Sequence, residues 1–229
     1  MTQQNYWEDN IRHFSKFYQS SSDENIIAPP GISYLYKKFV FPVEKNAVRK
    51  RYEGVISIID DLKLKEGSKI IDIGCGNGIF TVALLERGFK VIAADFTQSA
   101  LKLTENNIEQ ICPEKIKNAE FLKLDISKNQ IPVVDLAIAI GVSMYISDIS
   151  AFYENILPFT DVFLDNYQYP NHWINIIRRM IKLINVREVC YLDMKLRNDA
   201  LKKYDFKSYE KIPIGTGCIE LLKKNNMNL

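Results

Sequence analysis

Short apolar runs alternate with amphipathic stretches from Ala47 onward, and this alternation limits the possible folds more than any other feature. Residues 69–73 form an apolar run, as expected of a strand that is buried on both faces. A helical stripe of apolar residues precedes this run, and a second helix, predicted over about 79–87, ends at Gly88. Repeated strand–helix units imply a parallel sheet with right-handed crossovers, so we expect an open α/β sandwich.

The remaining elements continue this pattern and then depart from it. In chain order we predict strand 91–94, helix 98–111, strand 120–124, strand 133–140, helix 148–157, strand 162–165, strand 207–212 and strand 218–222. The short turn between the last two strands predicts an antiparallel hairpin. Over about 171–204 the pattern is helical, because Trp173, Ile177, Met180 and Ile184 share one face.

Residues 1–46 differ from the rest of the chain because they are aromatic and irregular. Four apolar residues between Trp7 and Tyr18 fall at helical spacing, which predicts a short amphipathic helix. These aromatic side chains either pack on the main domain or form a lid over an active site. We therefore divide the chain into a helical lid segment, 1–46, and a main domain, 47–229, in which residues 167–204 form a helical insertion on the substrate side.

The most informative stretch is residues 70–78, Ile-Ile-Asp-Ile-Gly-Cys-Gly-Asn-Gly. An apolar strand ends here in a glycine-rich turn that opens a helix. Three glycines allow the backbone to pass close to a ligand at positions where a Cβ would collide. Because the turn follows the first strand of an open α/β sheet, it lies at the edge where such sheets bind ligands.

A nicotinamide dinucleotide site is one candidate for this turn. It requires Gly-x-Gly-x-x-Gly, in which the third glycine lets a pyrophosphate sit on the helix N-terminus. Counted from Gly74 and Gly76, the third position is Ile79, and the glycine stands at Gly78 instead. Asp72, two residues before the first glycine, would repel a pyrophosphate and suits a cofactor that carries a cation. The dinucleotide interpretation is therefore disfavoured.

The same residues resemble the first motif of the class I S-adenosylmethionine-dependent methyltransferases, Asp/Glu-x-Gly-x-Gly-x-Gly. The resemblance continues in order over about residues 67–166: Asp95 ends the second strand, Asp125 ends the third, and residues 134–141 resemble the fourth-strand motif. It implies a Rossmann-like α/β fold. That fold is an open seven-stranded, mostly parallel sheet with an antiparallel final hairpin and helices on both faces, here with an N-terminal helical lid.

The resemblance also implies S-adenosylmethionine as the cofactor, with S-adenosylhomocysteine as its product. The carboxylate of Asp95 would bind both ribose hydroxyls in a bidentate, charge-assisted contact. The implied cofactor-binding residues are Asp72, Gly74, Cys75, Gly76, Gly78, Asp95, Phe96, Asp125, Ile126, Ile140 and Gly141. Alternative roles remain open for the three acids: Asp95 as a helix-start residue, Asp125 as a turn residue, and Asp72 as a brace for the glycine turn.

The expected reaction is in-line displacement at the sulfonium methyl by an oxygen or nitrogen nucleophile. Alignment supplies roughly 7–11 kcal/mol, and a general base adds about 10²–10⁴-fold, so a strong base is not required. The candidate catalytic residues are His172, after the fifth strand, and Tyr145, after the fourth. The alternative for His172 is a surface histidine at a helix start, and the alternative for Tyr145 is a helix-start residue without a catalytic role.

Asp165-Asn166 is a candidate metal-binding pair, because it is similar to the pair that holds Mg²⁺ in catechol-type methyltransferases. In those enzymes another Asp ends the fourth strand. Here that strand ends in residues 140–143, Ile-Gly-Val-Ser, which supply no acidic ligand. Because a hard cation requires several oxygen ligands, we expect no metal.

Composition bears on the partners and the location. The formal net charge is +2 and no basic block accumulates, so a nucleic-acid partner is not favoured. Aromatic and Ile-rich additions suit a mostly apolar pocket, so we expect a small-molecule metabolite as acceptor, with oxygen slightly favoured over nitrogen. An RNA or protein methyltransferase and a non-catalytic cofactor-binding protein remain alternatives. Dispersed cysteines, no signal-peptide pattern and no bilayer-length apolar run favour a cytoplasmic protein without membrane contact.

Overall fold

The computed structural model describes residues 41–173, 175–176 and 190–226. Seven strands form one sheet, and helices pack on it. In chain order the elements are α1 (Phe41–Asp61), β1 (Lys69–Ile73), α2 (Ile79–Glu86), β2 (Lys90–Asp95), α3 (Gln98–Ile111), β3 (Ala119–Lys123), β4 (Leu136–Ile140), α4 (Ile149–Ile156), β5 (Val162–Gln168), α5 (Met194–Lys203), β6 (Phe206–Ile214) and β7 (Gly217–Lys224). The 3₁₀ helices of this part of the chain are Pro113–Asn118, Ser143–Tyr145 and Leu157–Phe159.

The strand order is β3-β2-β1-β4-β5-β7-β6. The first five strands of that order pair in parallel, whereas β7 is antiparallel to both of its neighbours. The carboxyl ends of the parallel strands therefore share one edge of the sheet, which we call the carboxyl edge. The direction of winding reverses between β1 and β4, where ligands of open α/β sheets bind. The predicted Rossmann-like sheet with its antiparallel finish is confirmed.

Two apolar clusters form the core, one on each face of the sheet. Val55, Ile58 and Ile59 of α1 join Leu84 of α2 on the first face. On the second face, α4 and α5 pack through a set of buried side chains: Phe152, Tyr153, Ile156, Ala200 and Leu201. Burial on both faces explains why the central strands are almost continuously apolar in sequence.

Two predicted strands differ from those of the structure by three residues at one end. The fourth strand begins at Leu136 rather than Val133, and the Val133 side chain is exposed. Asp135 holds the strand entry, because its backbone N–H donates to Lys69 O at 2.8 Å and its Oδ2 accepts from Lys69 N at 2.7 Å. The fifth strand extends to Gln168, since antiparallel pairing with β7 continues as far as Gln168 opposite Gly217.

The segment predicted as helical over 171–204 is described in part. Residues 190–193 are irregular and precede α5, and Tyr167 already belongs to β5. The predicted N-terminal lid lies outside the described residues up to Phe41, where α1 begins, so its boundary at residue 46 falls within a helix. Among the residues that the structure describes, no helix combines the length and apolarity needed to cross a membrane.

Candidate cofactor site

The glycine turn between β1 and α2 adopts a conformation that other residues rarely reach. Gly74, Gly76 and Gly78 have φ values of 70°, 59° and 76°, in the left-handed region that favours glycine. The backbone N–H groups of Gly74 and Cys75 both donate to Ala94 O, at 2.7 and 3.0 Å. These bonds fix the turn against the end of β2, at the carboxyl edge of the sheet.

Helix α3 supports the turn from behind. The Thr104 hydroxyl donates to Gly76 O at 3.2 Å, and the Asn107 amide donates to Asn77 O at 2.7 Å. A Cβ on Gly78 would lie 2.7 Å from Thr104 Cγ2, so α3 packs directly on the turn. The turn is therefore held in one shape by the end of β2 and by α3.

Asp95, the last residue of β2, directs its carboxylate to the glycine turn. Its Oδ2 accepts from Gly76 N at 3.3 Å. Its Oδ1 accepts from both the backbone N–H and the hydroxyl of Thr97, each at 2.9 Å. Thr97 also caps α3, since its hydroxyl oxygen accepts from Ala100 N at 3.3 Å. The carboxylate predicted to bind a ribose is thus rigidly held beside the turn.

Asp72 lies beneath the turn and not on its outer face. It is buried and accepts a hydrogen bond of 2.7 Å from the Thr81 hydroxyl of α2. Burial raises the pKa of this carboxyl to about 6, although the bond from Thr81 opposes the shift. Burial also raises the pKa of the Cys75 thiol well above its usual value, so this thiol is protonated at neutral pH. In this structure Asp72 acts as a brace between β1 and α2.

The predicted adenine contacts lie after β3. Asp125 Oδ1 accepts from Ser127 N at 3.1 Å, and its Oδ2 forms an ion pair with Lys128 at 2.7 Å. Burial raises the pKa of Asp125, but the bonds from Lys128 and Ser127 outweigh it, and the net shift is downward. The Ile126 side chain is buried in the core. Phe96 is half-buried beside Asp95.

The chain after β4 meets the glycine turn across the point where the winding reverses. Ile140 is half-buried at the strand end, and Gly141 has a φ of 81°. Val142 packs so closely on Gly74 that a Cβ at that glycine would collide with Val142 Cγ2. Tyr145 follows in a 3₁₀ turn, with its backbone N–H donating to Val142 O at 2.8 Å. The predicted methionine end and the glycine turn are therefore adjacent.

Arg51 of α1 is a residue of this site that the sequence predictions missed. Its Nη1 lies 3.6 Å from the place where a Cβ of Gly141 would stand. Its charge also interacts with Tyr145. The available signal was its position four residues before Val55, on the helical face that carries the buried side chains of α1.

His172 lies at the carboxyl edge, beyond the end of β5. Its ring stacks on Trp173 with a centroid separation of 6.2 Å, and its carbonyl accepts from Asn175 N at 2.8 Å. The Asn175 amide donates to Tyr169 O at 2.8 Å and to Thr216 O at 3.0 Å. These bonds tie the His172 segment to the turn of the β6–β7 hairpin.

The side chains of the Asp165-Asn166 pair are buried and hydrogen-bonded within the fold. Asp165 is fully buried and accepts from the Tyr153 hydroxyl at 2.9 Å, and the Asn166 amide donates to Cys218 O at 2.9 Å. Within the part of the chain that the structure describes, no group of three or more His, Cys, Asp or Glu side chains is arranged to hold a metal ion.

These residues fit the cofactor that the sequence implies. A Cβ at Gly74 would collide with Val142, and a Cβ at Gly78 would collide with Thr104, so the turn requires glycine at both positions. A fixed carboxylate at the end of β2 can accept hydrogen bonds from a vicinal diol. The turn and Gly141 flank the point of reversed winding, which is the ligand crevice of open α/β sheets. Asp125 and His172 lie farther along the same edge.

Comparisons with known proteins agree with this geometry. The family model described as a methyltransferase domain matches residues 71–159. The fold is similar to magnesium protoporphyrin IX methyltransferase from Synechocystis PCC 6803, solved with bound S-adenosylhomocysteine, with a TM-score of 0.78 and 12% identity over 97% of this chain and 98% of that one.

Two curated sequences are also similar. The ribosomal protein L11 methyltransferase of Acetivibrio thermocellus is 26% identical over 64% of this chain and 50% of its own length. The ubiquinone biosynthesis O-methyltransferase of Acinetobacter baylyi is 34% identical over 31% of this chain and 26% of its own length. The chain thus spans half or less of the length of these relatives. The matched methyltransferase domain, the strand order and the glycine turn together support a class I S-adenosylmethionine-dependent methyltransferase.

Proposed function

We propose that this protein transfers the methyl group of S-adenosylmethionine to an oxygen or nitrogen atom of a small-molecule metabolite, with oxygen slightly favoured. The observation that carries the proposal is the Asp95 carboxylate, held by Thr97 and directed at Gly76 N in the turn after β1. A dinucleotide would also use an acid at the end of β2, but it would place a pyrophosphate on this turn, close to Asp72. A sulfonium nucleoside would place a cation and a diol there.

When bound, S-adenosylmethionine supplies a methyl group that is already activated by its positive sulfur. Asp95 would accept the ribose hydroxyls, and the turn from Gly74 to Gly78 would leave room for the chain of the ligand. Phe96, Asp125 and Ile126 would surround the adenine. The end of β4, Ile140 and Gly141, would line the methionine part. These residues bind and orient, which is the main catalytic contribution expected for this reaction.

His172 and Tyr145 are the proposed contacts of the acceptor atom. Both follow strands at the carboxyl edge, and both are half-buried. Either side chain could take the proton that the acceptor loses as its lone pair forms the new bond to the methyl carbon. The lid segment 1–46 and the insertion after β5 would cover this region. A non-catalytic binding protein would have the same cofactor contacts but no turnover.

A small acceptor is supported by the near-neutral net charge of +2. Similarity over the full chain to a methyltransferase named for a porphyrin substrate supports the same class. The competing candidate is an RNA or protein acceptor, and it is favoured by one observation: curated relatives include methyltransferases named for ribosomal protein L11 and for large-subunit ribosomal RNA.

Calorimetric titration tests the cofactor. Purified protein is titrated separately with S-adenosylmethionine, S-adenosylhomocysteine and NAD. We expect micromolar binding of the first two ligands and its loss in Asp95→Ala. The matched control is Asp60→Ala, which removes an exposed carboxylate whose partner is Arg87 at 2.6 Å and which lies at the other edge of the sheet. Binding of NAD without a response to the sulfonium cofactor would refute the proposal.

Methyl transfer tests the acceptor class. The protein is incubated with S-adenosylmethionine labelled in its methyl group, together with a metabolite extract, ribosomal RNA or ribosomal protein in separate reactions. We expect label in the metabolite fraction, with a smaller rate in His172→Ala and in Tyr145→Phe. Label confined to RNA or protein would select the competing candidate. Cofactor binding with no transfer to any fraction would indicate the non-catalytic alternative.

A further inference from the structure

An open cavity lined by cations lies between α5 and β6. Its volume is about 410 Å³, which is the size of a small-ligand site. β6 begins where β7 ends, since Phe206 pairs with Lys224, and β7 ends beside the start of β5. The cavity therefore lies toward the edge of the sheet opposite the carboxyl edge. Four of its side chains are cationic: Arg197, Lys202, Lys207 and Lys211.

Arg197 is the most buried of these four cations, with a side chain that is 3% exposed. One end nitrogen of its guanidinium donates to Glu220 of β7, and the other donates to Asn198 Oδ1 at 3.0 Å. The guanidinium also lies over the Tyr167 ring. These contacts hold it in place, and it stays charged because arginine is not deprotonated in proteins. Arg197 thus supplies a fixed positive charge at the base of the cavity.

A bulge in β6 directs two further side chains to the same face of the sheet. Ser208 pairs with Leu222 and Lys211 pairs with Glu220, with a register shift between Ser208 and Glu210. Leu222 and Glu220 are two residues apart on β7, so their side chains share a face. Because of the shift, Ser208 and Lys211 share that face although their numbers differ by three. A hydroxyl and an ammonium group therefore both line the cavity.

Lys202 of α5 and Lys207 of β6 provide positive charge at the rim of the cavity. Both side chains are exposed, and no carboxylate of the residues that the structure describes lies within ion-pair distance of either ammonium group. Asn198 precedes Lys202 by one helical turn, so its amide lies on the same side of α5. The rim thus combines two lysines with neutral hydrogen-bonding groups.

The cations of the cavity outnumber its acids. Glu220 is shared between Arg197 and Lys211, whose Nζ lies 3.2 Å from Glu220 Oε1. Asp205 also lines the cavity, and its carboxylate accepts from the Asn225 amide. Two carboxylates therefore face four cationic side chains, and two positive charges remain for a ligand to compensate.

We propose that this cavity binds a small phosphate monoester, at a second ligand site separate from the cofactor crevice. A phosphate monoester carries a charge of roughly −1.5 to −2 at neutral pH and has three strong acceptor oxygens. Lys202, Lys207 and the Ser208 hydroxyl donate to these oxygens, above the charge of Arg197. The inference does not depend on the proposed function, because these residues lie outside the cofactor crevice. A merely solvated basic surface would not distinguish these lysines from others on α5.

Calorimetry compares glycerol 3-phosphate, inorganic phosphate and glycerol at constant ionic strength, so that screening is the same in each titration. We expect wild-type protein to bind glycerol 3-phosphate with a dissociation constant below about 1 mM, to bind inorganic phosphate more weakly, and not to bind glycerol. Lys202→Gln combined with Lys207→Gln should weaken glycerol 3-phosphate binding by about tenfold or more, the loss expected for charge-assisted contacts.

The matched control is Lys195→Gln combined with Lys203→Gln, which removes two charges of α5 that do not line the cavity. All four lysines are exposed, so both double variants should fold. The control should leave the affinity for glycerol 3-phosphate unchanged. Equal weakening by the two double variants overturns the inference, because binding would then follow net charge alone.

Failure of wild-type protein to bind glycerol 3-phosphate overturns the inference as well, even if inorganic phosphate binds. A ribosomal RNA fragment that binds in place of the monoester, and is lost in the cavity variant, assigns the surface to nucleic acid instead. Asp95→Ala should bind glycerol 3-phosphate as wild-type protein does, and loss of this binding would place the ligand in the cofactor crevice. Failure to bind S-adenosylmethionine is a separate result, which concerns the proposed function alone.

Discussion

Two glycines of this chain have similar backbone conformations but different surroundings. Gly67 has a φ of 80° and nothing within 4 Å of its Cβ position, whereas Gly74 has a φ of 70° and faces Val142 Cγ2. An alanine at either position meets the cost of a left-handed conformation, about 1 kcal/mol. At Gly74 it also meets a collision. The pair therefore separates backbone strain from the close approach that the cofactor turn requires.

We expect Gly74→Ala to lower the free energy of unfolding by about 1–3 kcal/mol more than Gly67→Ala, because overpacking adds to the strain. Affinity for S-adenosylhomocysteine should fall in Gly74→Ala alone. Urea unfolding and calorimetry measure the two effects. Val142→Ala combined with Gly74→Ala should recover part of the lost stability. Equal destabilisation by the two single variants would contradict a role for the Val142 contact.

For single residues, the sequence predicted the position of a functional residue along the chain better than the direction of its side chain. The motif correctly placed Asp95 at the end of β2, beside the turn. The direction of Asp165 depends on Tyr153, which is 12 residues away and donates to it, so no local pattern carried that information. Arg51 was missed for a similar reason: its neighbour Gly141 is brought close only by packing of α1 on β4.

Helix α5 is attached to the sheet by a buried ion pair. Arg197 donates to Glu220 of β7, and the two side chains are 3% and 0% exposed. The Arg197 guanidinium also lies over the Tyr167 ring, 5.4 Å from its centroid. Lys211 of β6 approaches the same carboxylate at 3.2 Å. Removing one member of such a pair leaves a buried charge, which costs more than the pair itself contributes.

We expect Arg197→Met to lower the free energy of unfolding by about 3–5 kcal/mol. Glu220→Gln in the same chain should restore at least half of this loss, since the uncompensated charge is then gone. The matched control is Lys203→Met, which breaks an exposed pair with Glu154 and should cost less than about 1 kcal/mol. Chemical unfolding measures all three. A small effect of Arg197→Met would show that Lys211 alone compensates the charge of Glu220.

Element types were predictable because each strand and helix carries its own periodicity, but several ends were not. Val133 has the β-branched character of a strand residue, yet β4 starts at Leu136, where pairing with β1 begins. The extra length of β5 comes from its antiparallel partner β7, about 50 residues later in the chain. Strand ends of this kind are set by the neighbour and not by the local sequence.

Over the whole molecule, two carboxyl groups are buried on opposite faces of the sheet. Asp72 hydrogen-bonds to Thr81 of α2, and Asp165 hydrogen-bonds to Tyr153 of α4. Burial raises the pKa of each to about 6. The folded protein therefore holds more protons at these groups than the unfolded chain between pH of about 4 and 6. Their effect on stability is unfavourable above this range and is relieved as the pH falls through it.

We expect the stability difference between wild-type protein and Asp165→Asn to depend on pH in this direction. The free energy of unfolding of wild-type protein minus that of the variant should increase from pH 7 to pH 4.5, by on the order of 2 kcal/mol. Urea unfolding at several pH values measures it. The control is Asp161→Asn, an exposed group paired with Lys224 at 2.6 Å. Wild-type stability that stays constant or falls relative to the variant on acidification would show that Asp165 is ionised in the folded state at both pH values.

The bonds from Asn175 to Tyr169 O and Thr216 O have a consequence for protein synthesis. A ribosome delivers the strands of the glycine turn and of Asp95 first and the β6–β7 hairpin last. The loop that bears His172 has no anchor at Thr216 until the final hairpin has left the exit tunnel. The proposed acceptor side of the site is thus completed only by the last strand pair to be synthesised.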